Sequence, residues 1–541
     1  MRMTFAFRSR RSPVYATGGA VATSQPLATE AGVWTLRRGG NAADAALAAA
    51  AVLAVTEPTS CGIGGDCFAL YYEAATAKVC ALNGSGRAPA GLSVDAVRAA
   101  GLTALPPYHA LTVTVPGAVA AWADLSTRFG TRPLGDVFAP AIRLADEGFP
   151  VAPITAYFWA LEAEHKLRSS PGGHQLLLGG RAPAAGERIR NGALADVLRR
   201  IAAGGPDAFY RGPIAAAIAR AVRDAGGVLG EEDLADHRSA WVDPIATRYR
   251  DVVVHECPPN GQGLVALLAL NILRHRGVAD LEPLGADRLH EVIEALRLAF
   301  ADARACVADP DVASAPIAEL LDDAYARARA AQIDRARATV DVQAGSPIGG
   351  SDTVYLAAVD GDGNACSLIF SNYMGFGTGI VPDRLGFSLQ NRGHGFSLDP
   401  THPNALAPGK RPYHTIIPAM ATRAGDGSLY ACFGVMGGFM QPQGHVQVLL
   451  ALVDDGDDPQ AALDRPRVCV RGGDAAGAVA VEDGIAPDVV AELARRGHDV
   501  QVVAGHQRAL FGRGQVIVFD PDGDVLCAGS DPRADGCALG L

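Results

Sequence analysis

A chain of 541 residues that is 49% hydrophobic can bury a large core, and length alone points to three or so domains. Its formal net charge of -11, from 47 basic and 58 acidic residues, argues against nucleic acid or an anionic membrane as partner, because both reward clustered Lys and Arg. The ten cysteines are scattered and contain no C-x-x-C pair, which speaks against a zinc site or a disulfide framework and suits free thiols in a reducing compartment.

The opening stretch MRMTFAFRSRRSPVYATGG is basic but holds no signal-peptide core before Pro13, so a cytoplasmic protein is expected. The next segment, ATSQPLATEAGVWTLRRGGNAADAALAAAAVLAVTEPTSCGIGGDCFALYY, predicts a helix, a turn at Gly39-Gly40, an alanine-rich helix, a glycine turn and a strand. The apolar run Ala42 to Val55 contains Asp44 and is shorter than the roughly 20 residues of a membrane span, so a buried helix is the simpler account. From Val113 to about Leu234 the pattern is mostly helical. DVVVHECPPNGQGLVALLALNIL then predicts strand, turn and apolar helix, and DRLHEVIEALRLAFADARACVAD an amphipathic helix. RARATVDVQAGSPIGGSDT is polar and glycine-bearing, the pattern of a mobile loop, and it delivers the chain to Thr353. Beyond it TVYLAAVD, the turn GDGN and ACSLIFSN form a hairpin, and GQVIVFDPDGDVLCAGSDPR near the end forms another. The shift in character at 353 is the only boundary the composition marks.

Three features could carry chemistry. Thr353 opens a strand behind a loop: locally a β-branched residue in a natural place, but a nucleophile with its own base if the bond before it were cut. In GVMGGFMQPQG, Gly437-Gly438 follows a strand and could aim two backbone N-H groups at one oxyanion, or simply form a turn. CGIGGD and GFGTG lack the context of a nucleotide loop.

Taken in order, GGNAADAALAAAAVLAVTEPTSCGIGGDCF, VPGAVAAWADLSTRFG, DTVYLAAVDGDGNACSLIFSNYMGFGTGIV, APGKRP and MGGF resemble the γ-glutamyltransferase (glutathione hydrolase) family over nearly the whole chain. The resemblance implies an α/β (α+β) protein with the N-terminal nucleophile hydrolase fold, a four-layer αββα sandwich. It implies a proenzyme that cuts itself between Asp352 and Thr353. Residues 1-352 would be the large-subunit segment and 353-541 the small one, both in one intertwined domain and associated after cleavage. The resemblance makes Thr353 the nucleophile, Gly437 and Gly438 the oxyanion hole and Ser371 the supporting hydroxyl, with Tyr373 where many members have asparagine. No cofactor or metal is called for.

The substrate half departs from the family pattern. Typical members hold the γ-glutamyl α-carboxylate with an arginine and a serine pair, and its α-ammonium with acidic or amide side chains. Here the ammonium positions fall on Arg392 and Gly395, the serine pair on His414 and Thr415, and the arginine on Ser85, with Arg87 two residues later as a substitute. An enclosed ammonium without a carboxylate partner is strongly disfavoured. The expected substrate-binding set is therefore Arg87, Tyr373, Arg392, His414 and Thr415, with His394 near it. Two enzyme readings result: cleavage of γ-glutamyl amides such as glutathione through an acyl-threonine, or an amidohydrolase for carboxylate-bearing acyl groups without the α-amine, of the oxamate or glutaryl-amide type. A non-catalytic scaffold is the third. The expected partners are a small-molecule amide and the two fragments of the chain, with no nucleic acid and no membrane.

Overall fold

The computed structural model describes residues 11-339, 352-474 and 476-541. In chain order its main strands are β1 (Val14–Ala16), β2 (Gly19–Thr23), β3 (Asp66–Glu73), β4 (Lys78–Gly84), β5 (Ala240–Val242), β6 (Ile245–Tyr249), β7 (Val252–Glu256), β8 (Asp352–Asp360), β9 (Ala365–Tyr373), β10 (Ala419–Arg423), β11 (Leu429–Met436), β12 (Arg513–Asp520), β13 (Val525–Ser530) and β14 (Cys537–Gly540). They form two seven-stranded sheets, β14-β2-β8-β9-β3-β4-β5 and β1-β13-β12-β11-β10-β7-β6. The two sheets pack face to face through β8 and β9 against β11, and β8 against β12.

The outer layers are helical. On one side lie α1 (Pro26–Arg37) and α2 (Ala42–Thr56), the latter packed on β8 and β9; on the other lie α3 (Gly263–Arg274), against β6 and β7, and α5 (Met440–Val453), against β11. The helix α4 (Ala286–Cys306) packs on α3. This is the four-layer αββα sandwich expected from the resemblance. Every residue of α2 is buried, which small alanine side chains permit by letting helix and sheet backbones approach closely. Asn41 and Asp44 close a capping box at its start, and the Asp360 carboxylate at the end of β8 accepts the Ala42 N-H at 2.9 Å.

Each sheet mixes strands from before and after residue 353, so nothing in the layers follows the composition shift there. The segment expected to be mostly helical is so, interrupted by short strands at Phe149–Pro150 and Arg188–Ile189. Both expected hairpins form, β8-β9 and β12-β13. Most of the loop expected before Thr353 lies outside the described residues. All ten cysteines are free. Among the described residues no helix is long and apolar enough to cross a membrane.

Candidate active site

Thr353 sits at a β-bulge. Asp352 pairs with Tyr373 and Val354 with Phe370, so β9 carries an extra residue opposite Thr353. Across this bulge the Thr353 hydroxyl donates to Ser371 Oγ at 3.2 Å, and the same oxygen accepts the Tyr373 N-H at 2.8 Å. Thr353 and Ser371 are fully buried. Tyr373 has φ +79°, a conformation costly for a residue with a Cβ, and it ends β9 at the site.

On the other side of β9, Asp66 of β3 lies opposite Ser371. A Cβ on the preceding Gly65 would meet Ser371 O at 2.2 Å, so this glycine of CGIGGD lets two backbones touch. Asp66 is buried among four donors. Its Oδ1 accepts the N-H of Gly86 at 2.9 Å, of Gly117 at 3.2 Å and Nε2 of Gln390 at 2.9 Å, while Oδ2 accepts His414 Nε2 at 2.9 Å. Burial raises the Asp66 pKa, but the His414 bond, the Arg392 charge and Gln390 outweigh it and hold the carboxyl below its usual range.

His414 is fully buried, its Nδ1 accepting the Ile416 N-H at 3.3 Å, which leaves the Nε2 proton for Asp66. Burial, then the charge of Arg392, pushes its pKa down to about 4 despite Asp66. Because an unfolded histidine titrates near 6.5, the unfolded chain binds a proton between about 6.5 and 4 that the folded chain does not. His414 therefore removes stability as pH falls through that window, in total about 3 kcal/mol. Melting temperatures should fall more steeply from pH 6.5 to 4 in the wild type than in His414→Gln; parallel curves would contradict this assignment.

Arg392 opens a short 3-10 turn, Arg392–Gly395, and is fully buried. Its Nη1 donates to Thr415 Oγ1 at 2.8 Å, and its guanidinium carbon lies 4.1 Å from the Tyr373 ring centroid. Its Nε and Nη2 are buried without a hydrogen-bond partner among the described residues. Burial lowers its pKa to about 10, so the group stays charged at neutral pH. Burial likewise raises the Tyr373 hydroxyl to about 12.

Gly437 and Gly438 follow β11 with φ +134° and +59°, backbone that glycine adopts readily and other residues do not. Their N-H groups enter none of the turn and loop hydrogen bonds among the described residues. Gln262 ties this pair to the His414 segment: its Nε2 donates to Gly438 O at 2.9 Å and to Thr415 O at 2.7 Å, and its Oε1 accepts the Tyr413 hydroxyl at 3.1 Å. Phe439, the next residue, lines a cavity of about 420 Å³ with Arg304, His394, Gly395, His402 and Tyr413, and no Asp or Glu lines it.

The structure thus brings Thr353 to Ser371 and Tyr373, and Arg392 to Tyr373 and Thr415, with His414 bound to Asp66 behind them. Arg87 is a correction. Its Nη1 lies 3.0 Å from Asp309 and its Nη2 2.6 Å from Asp311, and it lines a different cavity, of about 540 Å³, with Arg238 and Arg411. Two carboxylates already hold it, so it does not replace the arginine missing at Ser85, which is itself buried and donates to Asn83 Oδ1 at 2.7 Å. His394 is half-buried, with Nδ1 2.6 Å from Leu105 O, and faces the cavity. Asp66, Gln262 and Gln390 escaped the sequence reading. CGIGGD gives Asp66 no role of its own in the sequence, and nothing local distinguishes a carboxylate that will meet four donors from a surface one.

Comparison with known proteins agrees with this architecture. The family model described as gamma-glutamyltranspeptidase matches residues 28–541. The chain is 37% identical over 533 residues to the glutathione hydrolase-like YwrD proenzyme of Bacillus subtilis (strain 168), covering 98% of this chain and 99% of the relative. It is 36% identical over 541 residues to the oxamate amidohydrolase proenzyme of Klebsiella pneumoniae subsp. pneumoniae, covering 97% and 98%. The crystal structure of cephalosporin acylase from Bacillus halodurans superposes with a TM-score of 0.90 at 46% identity, over 100% of this chain and 99% of the other.

Proposed function

Because the chain belongs to the gamma-glutamyltranspeptidase family and has its N-terminal nucleophile hydrolase fold, we propose that it is a self-processing amidohydrolase whose substrates carry a carboxylate on the acyl group and no α-ammonium beside it. The observation that carries this reading is Arg392: a buried, charged guanidinium with two donors unpartnered among the described residues, at a position where the resemblance to the family implies an ammonium partner. A carboxylate supplies what those donors lack, whereas a second cation there meets repulsion in a desolvated site. Asp66 is no refuge for an ammonium, since four donors already occupy its oxygens.

In this reading the chain first matures. The Thr353 hydroxyl attacks the Asp352 carbonyl, the C-N bond breaks as the proton passes to the Thr353 nitrogen, and water hydrolyses the resulting ester to a carboxyl on Asp352 and a free hydroxyl. Residues 1-352 and 353-541 then remain together, because each sheet holds strands from both. Two relatives named as proenzymes support this step. In turnover the freed amine takes the Thr353 hydroxyl proton as the oxygen attacks the substrate amide. Ser371 holds that oxygen in place, and the Gly437 and Gly438 N-H groups meet the oxyanion. The leaving amine departs with the proton, and water, or a second amine, releases the acyl group from Thr353. Arg392, steadied by Thr415 and Tyr373, holds the acyl carboxylate, while His414 and Asp66 brace the wall behind it.

The relatives named as an oxamate amidohydrolase and a cephalosporin acylase support this choice of acyl group. The relative named glutathione hydrolase-like supports the competing one, γ-glutamyl amides such as glutathione. A cytoplasmic location fits ten free cysteines. The decisive panel compares glutaryl-p-nitroanilide, γ-glutamyl-p-nitroanilide and oxamate on processed enzyme. The glutaryl compound should exceed the γ-glutamyl one by roughly tenfold or more in kcat/KM; the reverse order would overturn the reading.

A further inference from the structure

The two halves of the proposed catalytic machinery lie on different sheets. Thr353 and Ser371 stand on β8 and β9, whereas Gly437 and Gly438 follow β11 of the other sheet. Their relative placement depends on what joins the sheets at that end. The turn after α2 belongs to the side of the first sheet: Ser60 O accepts the Asn372 N-H at 3.4 Å, Thr59 O accepts the Phe376 N-H at 2.9 Å, and Gly65 lies against Ser371 O. Glu57 opens this turn and is buried. Its Oε2 accepts the hydroxyl of Ser24, one residue past β2, at 2.5 Å.

Its Oε1 reaches across to the second sheet, 3.6 Å from Nη1 of the buried Arg513. Arg513 opens β12 opposite Met436, the residue before Gly437. The preceding Gly512 packs so closely on this strand end that a Cβ there would meet Met436 O at 2.6 Å, and a Cβ on Gly437 would meet Gly512 Cα at 3.1 Å. Packing this close transmits a shift of Arg513 to the glycine pair. We propose that Glu57 is a positioning residue: as a carboxylate it holds Arg513, and through Arg513 it sets the Gly437-Gly438 N-H groups against Thr353 and Ser371. This rests on the reading of Thr353 as nucleophile and of the glycine pair as oxyanion hole, and not on the choice of acyl group.

The groups facing Glu57 fix the sign of its pH dependence. Burial raises its pKa to about 7, Arg513 and the hydroxyls of Ser24 and Ser60 oppose this, and Asp535, in the segment before β14, adds to it. Cys61 of the same turn stays a neutral thiol, its own pKa raised by burial and by Glu57. Protonation as pH falls through about 7 removes the charge that holds Arg513, so the wild type comes to resemble Glu57→Gln.

The test measures kcat and KM from about pH 9 to about pH 5.5 on processed wild type and Glu57→Gln, with the amide that the wild type turns over fastest. At the alkaline end the variant's kcat should be lower by roughly tenfold to a hundredfold with KM within about threefold, because displaced oxyanion donors are felt in the transition state. The ratio of wild type to variant should shrink toward one at the acid end. Both enzymes carry the Thr353 amine, so its titration cancels in that ratio. A ratio near one at the alkaline end, or a ratio that does not change with pH, overturns the proposal. If Glu57→Gln is not processed, Ser24→Ala decides. It keeps the carboxylate and removes a donor to it, so its acid limb of kcat should lie about half a unit to one unit above that of the wild type, and coincident limbs overturn the proposal. Turnover retained in Thr353→Ala would remove the nucleophile, and with it the proposal, whatever the Glu57 ratio.

Discussion

Thr353→Ala is expected to run as one uncut chain of 55.8 kDa on a denaturing gel, where the wild type gives fragments of about 36 and about 19 kDa. Amide turnover should fall with it, by roughly a thousandfold or more. The reason is that one hydroxyl does both jobs: it attacks the Asp352 carbonyl in the precursor and the substrate carbonyl in the mature enzyme. Alanine removes that oxygen and leaves the strand intact, because the 3.2 Å bond to Ser371 is the hydroxyl interaction lost while the ladder of β8 is made by backbone groups. Thr353→Ser keeps the oxygen and should keep both fragments and measurable turnover. Cleavage in the alanine variant, or turnover within tenfold of wild type, would remove Thr353 from the mechanism and restore the scaffold reading.

Arg392→Gln should lower kcat/KM for a glutaryl amide by roughly a hundredfold to a thousandfold, most of it in KM, because a charge-assisted pair in a dry pocket is lost. Lysine should not recover it. Arg392 already uses Nη1 on Thr415 and lies over Tyr373, so a carboxylate must be met by the remaining edge of the planar fork, which an ammonium does not reproduce. A butyryl amide, which has no carboxylate, serves as the control. Equal losses on both substrates would mean that Arg392 acts by holding Tyr373 and Thr415 in place rather than by binding the acyl group. Processing of the variant, read on the same gel, separates loss of binding from loss of maturation.

Much of the architecture was legible because its signals are local. Alternating apolar residues on both sides of GDGN and PDGD predict the two hairpins, and both form. The apolar run Ala42 to Val55 predicts a buried helix, and every residue of the helix Ala42–Thr56 is buried. The substrate side was less legible for the opposite reason. Arg87 and Arg392 are chemically identical in a sequence, and their difference comes entirely from distant partners: Asp309 and Asp311 surround one, Thr415 and Tyr373 the other.

The sequence by itself determined the family, the fold class, the order of the strands and helices flanking Thr353, and a departure from the usual substrate pattern at Arg392, His414 and Thr415. The elements follow from periodicity and turn chemistry, whereas the family, the fold class and the departure at the substrate positions follow from the resemblance carried by the ordered motifs. Only the tertiary structure decided that His414 is a fully buried residue bound to Asp66, that Arg87 is taken by two aspartates, and that Arg392 keeps two buried donors without a partner among the described residues. Whether a side chain is structural or free to bind depends on which donors and acceptors the fold brings within about 3 Å of it, and sequence separation does not encode that distance.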